Sequence, residues 1–305
     1  MPKPQGGICP ESGDYGCYLM LRLRPGKVPA ALRRACAGMP RLTKAIAKET
    51  GDKTLLSVLA IGARAWPRLF PAPKPRDLVP FAAIRDGRRV APATPFDIFI
   101  HMHSNRFDAC FMLARRFLAT VGDTAKLAEE VHGFRHLGGR DMIGFVDGTE
   151  NPKGAEIVPA TIVGAEDREF AGGSYVSVQR YIHDLRRWER KSVAAQEKVI
   201  GRTKPTDIEI PDARKLPTAH LSRVVIEEGG EELQILRRSL PYGTLDEIGL
   251  YFIAYGRTPH NFRKMLNRMM RHDHAGHYDH LMDFVHAVTG ASFFAPSVDF
   301  LERFG

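Results

Sequence analysis

The second half of the chain carries the clearer alternation of apolar and polar positions. "GSYVSVQRYI" reads as a strand, and "HDLRRWERKSVAAQEKVIG" as a helix stopped at Gly201. "LSRVVIEE", a "GGEE" turn and "LQILRRSL" follow as strand, turn and strand. "GLYFIAYG" is a near-continuous apolar run, which predicts a strand buried on both faces. "TPHNFRKMLNRMMRH" predicts a helix. Thr258 suits its N-cap, Pro259 its first turn, and Phe262, Met265, Leu266 and Met269 fall on one face. "SFFAPS" predicts a last short strand. The order is β-α-β-β-α-β, with an extra hairpin before the second core strand.

The first half gives the same order more faintly. "YLMLRLRPG", "TLLSVLAIGARAW" and "FDIFIHMHS" read as strands. "VPAALRRACAGMPRLTKAIA" is helical with a break before Pro40. "PRLFPAPKPRDLVPFAAI" is an irregular, Pro-rich insertion. "FDACFMLARRFLATVG" predicts a helix with Phe107, Cys110, Phe111 and Leu118 inward. The fold class that follows is α+β, built from two ferredoxin-like βαββαβ halves, each a sheet with helices on one face. The join falls near "FRHLGGRDMIG", which divides the chain into residues 1–139 and 140–305.

Composition adds bounds. The 305 residues are 44% apolar and 26% charged, enough for a sizeable core. No apolar run approaches the ~18 residues of a membrane span. The N-terminus shows no charged leader followed by an apolar stretch. Four cysteines, Cys9, Cys17, Cys36 and Cys110, form no CxxC pair. A reduced, cytoplasmic protein is expected. The formal charge is +9, but its basic residues are scattered and not interleaved with stacking aromatics. A solvated basic surface is expected, with neither nucleic acid nor membrane as partner.

Three places could carry chemistry. In "RDMIGFVDGTENPKG", Asp147 sits among Gly144, Gly148 and Asn151-Pro152. Asp-Gly alone is a common turn. The density of backbone-freeing and backbone-fixing residues instead suits a chain that passes close to a flat ligand. In "KLPTAHLSRVVI", His220 opens a strand pattern; a neutral imidazole is a ligand for transition metals and haem iron. In "ILRRSLPYG", alternation puts Arg237 and Ser239 in phase with Leu233 and Ile235, and Arg238 on the other face. A charge on a buried face needs a partner or ligand. Two further patterns attract attention. "HDHAGHYDH", His272 to His280, reads as a solvated loop, and "FIHMHSN" puts His101 and His103 on one strand face without a third ligand.

Taken together, these segments resemble one family. "GFVDGTENP" is similar to the GxxDG motif of dye-decolorizing peroxidases. "GGSYVSVQRYIHDL", "VIGRTKP", "LPTAHLSR", "LRRSLPYG", "GLYFIAYG" and "FFAPS" follow in the order of the bacterial B-type (P-type) subclass. The resemblance runs from about Arg140 to Ser297.

The resemblance implies a dimeric α/β-barrel-like haem peroxidase fold with haem b (iron protoporphyrin IX) as cofactor. It implies His220 as the proximal ligand of iron, Asp147 as the distal acid, Arg237 as the distal cation and Ser239 as a distal polar residue. It implies Arg202 as partner of a haem propionate, with Gly148, Thr149 and Phe252 beside the ring. Asp283, read within a loosely patterned helix, is the expected carboxylate behind His220. The implied reaction reduces hydrogen peroxide and oxidises dye-like, phenolic or porphyrin donors through a ferryl intermediate. Trp188, Tyr181, Tyr251 and Tyr255 are candidates by type for a surface electron relay. A homo-oligomer, dimer or higher, is expected. The alternative is a haem-trafficking or iron-release protein, which would need His220 and Arg202 but not Asp147 with Arg237. The resemblance also raises cargo loading into a protein shell through a trailing peptide; with "VDFLERFG" so soon after the last strand, none is expected.

Overall fold

The computed structural model describes residues 2–305. Eight strands carry the architecture: β1 (Tyr15–Leu23), β2 (Leu56–Gly62), β3 (Ile98–Ser104), β4 (Ala125–Phe134), β5 (Ser174–His183), β6 (Leu240–Gly243), β7 (Ile248–Gly256) and β8 (Val285–Ala295). All pairings among them are antiparallel, in the order β1-β3-β2-β8-β5-β7-β6-β4. β4 returns to β1, so the sheet closes into a barrel-like ring. Within each half the spatial order of its four strands is fourth, first, third, second. The halves meet at two short seams, Tyr242 opposite Gly133 and Phe293–Phe294 opposite Gly62–Ile61.

Every strand sends alternate side chains into the ring. Tyr18, Met20, Val58, Phe99, Val131, Val178, Tyr251 and Phe293 belong to this inner cluster. The intervening residues face the helices, as Cys17, Leu19 and Leu21 do. Burial on both faces explains the near-continuous apolar runs of β1, β2 and β7.

Helices cover the outside. In the N-terminal half they are α1 (Ala30–Ala37), α2 (Met39–Thr50) and α3 (Phe107–Val121). The break between α1 and α2 falls at Gly38, with Pro40 in the first turn of α2. In the C-terminal half α4 (Leu185–Glu189) and α5 (Val193–Ile200) replace the single expected helix, because Ser192 N-caps a new start by accepting from Ala195 N–H. α6 is His220–Val224 and α7 is Pro259–Met270, N-capped by Thr258. No helix among the described residues is long and apolar enough to cross a membrane.

Several expectations are corrected. "LSRVVIEE" is not a strand: His220 begins helix α6, and only Glu227–Glu228 pairs with Glu231–Glu232. The run "LMDFVHAVTG" is not helical; a single turn over His280–Asp283 leads into β8. β4, "AKLAEEVHGF", was not expected from the sequence, because polar Lys126, Glu129, Glu130 and His132 interrupt it and a register shift breaks its alternation. Phe107 and Phe111 are 41% and 42% exposed, while Ala109, Cys110, Leu113 and Phe117 form the buried face of α3.

Candidate active site

The outer face of the C-terminal sheet is the floor of a cleft. β5 contributes Ser177, Gln179, Tyr181 and His183, and β7 contributes Leu250 and Phe252. These are the positions that alternate with the inward-facing Val176, Val178, Tyr251 and Ile253. α6, α7 and the turn Asp141–Glu150 wall it in. Its empty volume is about 1240 Å³, open mouth included, with a mainly apolar lining. Asp147, His220, Arg237 and Phe252 all line this one cleft.

His220 is the first residue of α6. Its Nδ1 lies 2.6 Å from Oδ2 of Asp279, a fully buried carboxylate whose other oxygen accepts the Leu281 N–H at 2.9 Å. A carboxylate on Nδ1 fixes the tautomer with the proton there and leaves Nε2 as a lone-pair donor. The partner expected here, Asp283, instead accepts the Tyr278 hydroxyl at 3.2 Å. Asp279 sits in "HYDH", inside the loop read as merely solvated; its neighbours Tyr278 and His280 are half-buried and its own side chain turns fully inward.

Asp147 is held by backbone. Its N–H donates to Gly139 at 3.1 Å, and Arg140 anchors the same turn by donating to the Gly144 and Lys204 carbonyls at 2.9 and 2.8 Å. Gly148 follows Asp147 at φ 83°, the left-handed region that glycine adopts without penalty. Burial pushes the Asp147 carboxyl above the usual range. The Arg237 guanidinium pulls it back, and the charge of Asp141 pushes it up again.

Arg237 and the Asp147 turn are tied together by Asn151. The Asn151 amide accepts the Arg237 N–H at 2.8 Å and donates to the Arg237 carbonyl at 3.0 Å. This two-point clamp is the part of "DGTENP" that spacing alone did not explain. Arg237 Nε is shielded from solvent and has no partner among the described residues. Arg238 points away, buried, with its guanidinium on the Cys9 carbonyl.

Other expected residues lie near the cleft without lining it. Ser239 uses its hydroxyl to accept the Ile253 N–H at 3.3 Å. Arg202 pairs with Glu150, which does line the cleft, and donates to the Asp207 carbonyl at 2.6 Å. Thr149 donates to Asp207 Oδ2 at 2.6 Å. Gly148 and Thr149 therefore shape the turn. Two residues that line the cleft escaped the sequence reading: Asp141 and His183, 2.8 Å apart and both buried. Trp188, Tyr181, Tyr251 and Tyr255 are all buried, so none is a surface relay. His101 and His103 point into the ring, where His101 meets the Tyr255 hydroxyl at 2.9 Å.

Comparison with known proteins agrees with this architecture. The family described as Dyp-type peroxidase, N-terminal, matches residues 5–135, and Dyp-type peroxidase, C-terminal, matches residues 138–300. A dye-decolorizing peroxidase of Mycobacterium tuberculosis is 45% identical over 277 residues, 90% of this chain and 83% of that protein. DyPB from Rhodococcus jostii superposes with a TM-score of 0.92 at 37% identity, over 98% of this chain and 97% of that one. A variant of that protein, solved in complex with heme, superposes with a TM-score of 0.93 at 36% identity, over 99% of each chain. With both of its halves matched and a 45% identical relative covered over 83% of its length, the chain belongs to the Dyp-type peroxidase family and is a peroxidase, an oxidoreductase.

Proposed function

We propose that the cleft binds haem b through His220 and that the protein reduces hydrogen peroxide while oxidising small organic donors. The observation that carries this reading is the shared cleft, in which one imidazole with a free Nε2 stands with an acid and a guanidinium. The donor set suits iron porphyrin. The lining is apolar enough for a flat macrocycle, and a single imidazole backed by a carboxylate is a strong axial ligand. When bound, iron porphyrin supplies the electrons that cleave the O–O bond and holds the oxidising equivalents for the donor.

The protein's own groups do the rest. Asp279 accepts the Nδ1–H of His220, which orients the ring and raises its basicity. Asp147, when ionised, takes the proton from one peroxide oxygen and returns it to the other. Arg237 offers N–H donors to the oxygen on which negative charge builds, and its charge favours the ionised form of Asp147. Asn151 keeps these two groups in fixed relation. Arg202, paired with Glu150 of the cleft wall, is the cation for a propionate. The alternative, haem handling without peroxidase chemistry, has no use for the Asp147–Arg237 pair. The strand order of each half supports a pair of ferredoxin-like units, residues 1–139 and 140–305, and self-association is expected of the folded chain.

Haem titration followed by absorption tests the reading. Wild-type protein is expected to take one equivalent and to gain peroxide-dependent dye oxidation. His220→Ala is expected to retain haem poorly. Full loading of that variant with an unchanged spectrum would show that another side chain is the ligand.

A further inference from the structure

Cys17, Glu130 and His132 lie in the N-terminal half, away from the cleft. Strands β1 and β4 pair so that Cys17 faces His132 across the ladder and Leu19 faces Glu130. Alternation then sends Glu130 and His132 to the face that carries Cys17, Leu19 and Leu21 beneath α3. The Cys17 sulfur, a ring nitrogen of His132 and a carboxylate oxygen of Glu130 fall within 4.8 Å of one another. His132 Nε2 meets Glu130 Oε1 at 2.8 Å, while its Nδ1 is shielded from solvent and has no partner among the described residues. Phe107 packs edge-on against the imidazole at 5.1 Å and limits its rotation. The His132 and Glu130 side chains are 34% and 35% exposed, so an ion can reach them from solvent, and the buried thiol closes the bottom.

A packing role accounts for the thiol alone, since a free cysteine behaves as a small hydrophobe. It does not account for the imidazole, whose shielded, unpaired nitrogen costs about 1–3 kcal/mol if nothing meets it. We propose that Cys17, His132 and Glu130 form a binding site for one zinc ion, with water completing a tetrahedron.

The mixed sulfur, nitrogen and oxygen set selects a borderline-soft cation; magnesium and calcium prefer all-oxygen sites. Zinc bonds of about 2.0–2.3 Å place tetrahedral donors roughly 3.5 Å apart, so these donors close by little more than about 1 Å. The thiol gives up its proton to solvent as the zinc–sulfur bond forms. Thiolate and carboxylate together then cancel the ion's two charges, which suits a half-buried place. The ion would fasten β1 to β4 at the face that α3 covers.

Zinc retention by the haem-loaded full chain tests this, with metal content after dialysis as one readout and zinc-edge X-ray absorption as the other. One zinc per chain is expected, with one sulfur at about 2.3 Å. His132→Gln, at a partly exposed position that the fold tolerates, is expected to weaken zinc binding at least about 100-fold, beyond the 10–100-fold that loss of an outer partner costs. Cys17→Ala is expected to remove the sulfur signal. His274→Gln/His277→Gln, in the exposed His-rich loop, is expected to leave both readouts unchanged. Failure to retain zinc, zinc without sulfur, or full affinity in His132→Gln would overturn the proposal.

Discussion

Arg237→Leu separates the two tasks assigned to this residue. The guanidinium lies close enough to Asp147 to oppose the upward push that burial gives its carboxyl. It also brings N–H donors into the cleft, among them an Nε with no protein partner. Removing one preorganised donor from a developing oxyanion costs about 2.7–4 kcal/mol, or roughly 100–1,000-fold in rate. That loss is independent of pH. The second loss is not. Without Arg237 the Asp147 carboxyl titrates higher still, and the proton acceptor disappears at a higher pH. Each pH unit by which the acid limb moves up removes about tenfold of the remaining rate below it. The assay is rapid mixing of haem-loaded protein with peroxide, following the Soret change across pH. Arg237→Leu is expected to be slower by roughly 100-fold or more on the plateau, with its acid limb displaced upward. Arg237→Lys keeps the charge but not the fork, so its limb should move less while its plateau still falls. A Leu variant within a few-fold of wild type, with an unmoved limb, would refute the assignment of both tasks.

Other outcomes follow from single contacts. Asp279→Asn is expected to lower haem affinity or activity by about 10–100-fold, while Asp283→Asn, which loses only a Tyr278 contact, should match wild type in a haem titration. Ser239→Ala removes the acceptor of the Ile253 N–H and should cost about 1 kcal/mol in denaturant unfolding with little change in the peroxide step. Asp147→Asn is expected to abolish most of that step yet stabilise the haem-free protein at neutral pH. The sign follows from the raised carboxyl: ionising it costs more in the folded than in the unfolded chain, so stability falls as pH rises through the window above the ordinary carboxylate range. Melting temperatures of wild type and variant should therefore converge at acidic pH.

The sequence was most legible where one physical demand dominates. Strands buried on both faces, such as β2 and β7, are apolar at nearly every position, and no competing pattern exists. β4 was illegible for the opposite reason. It carries Lys126, Glu129, Glu130 and His132, and a register shift breaks its alternation, so it lacks the apolar signal that burial would impose. His220 was identified by residue type and motif, but α6 is only five residues long, too short for a helical period to show. Asp279 and Asp283 lie four residues apart in a polar loop. Which of them meets His220 depends on how the loop after α7 turns back, and local spacing does not encode that. The Asn151 clamp joins segments 86 residues apart, so the motif shows the amide without its partner.

The central claim is one imidazole on iron, with an acid and a guanidinium across the ring. A crystal structure of the haem-loaded protein tests it most directly. The account predicts His220 Nε2 bonded to iron, with Asp147 and Arg237 over the opposite face. Iron held by His183 or any other side chain, or Asp147 and Arg237 on the His220 side, would contradict it.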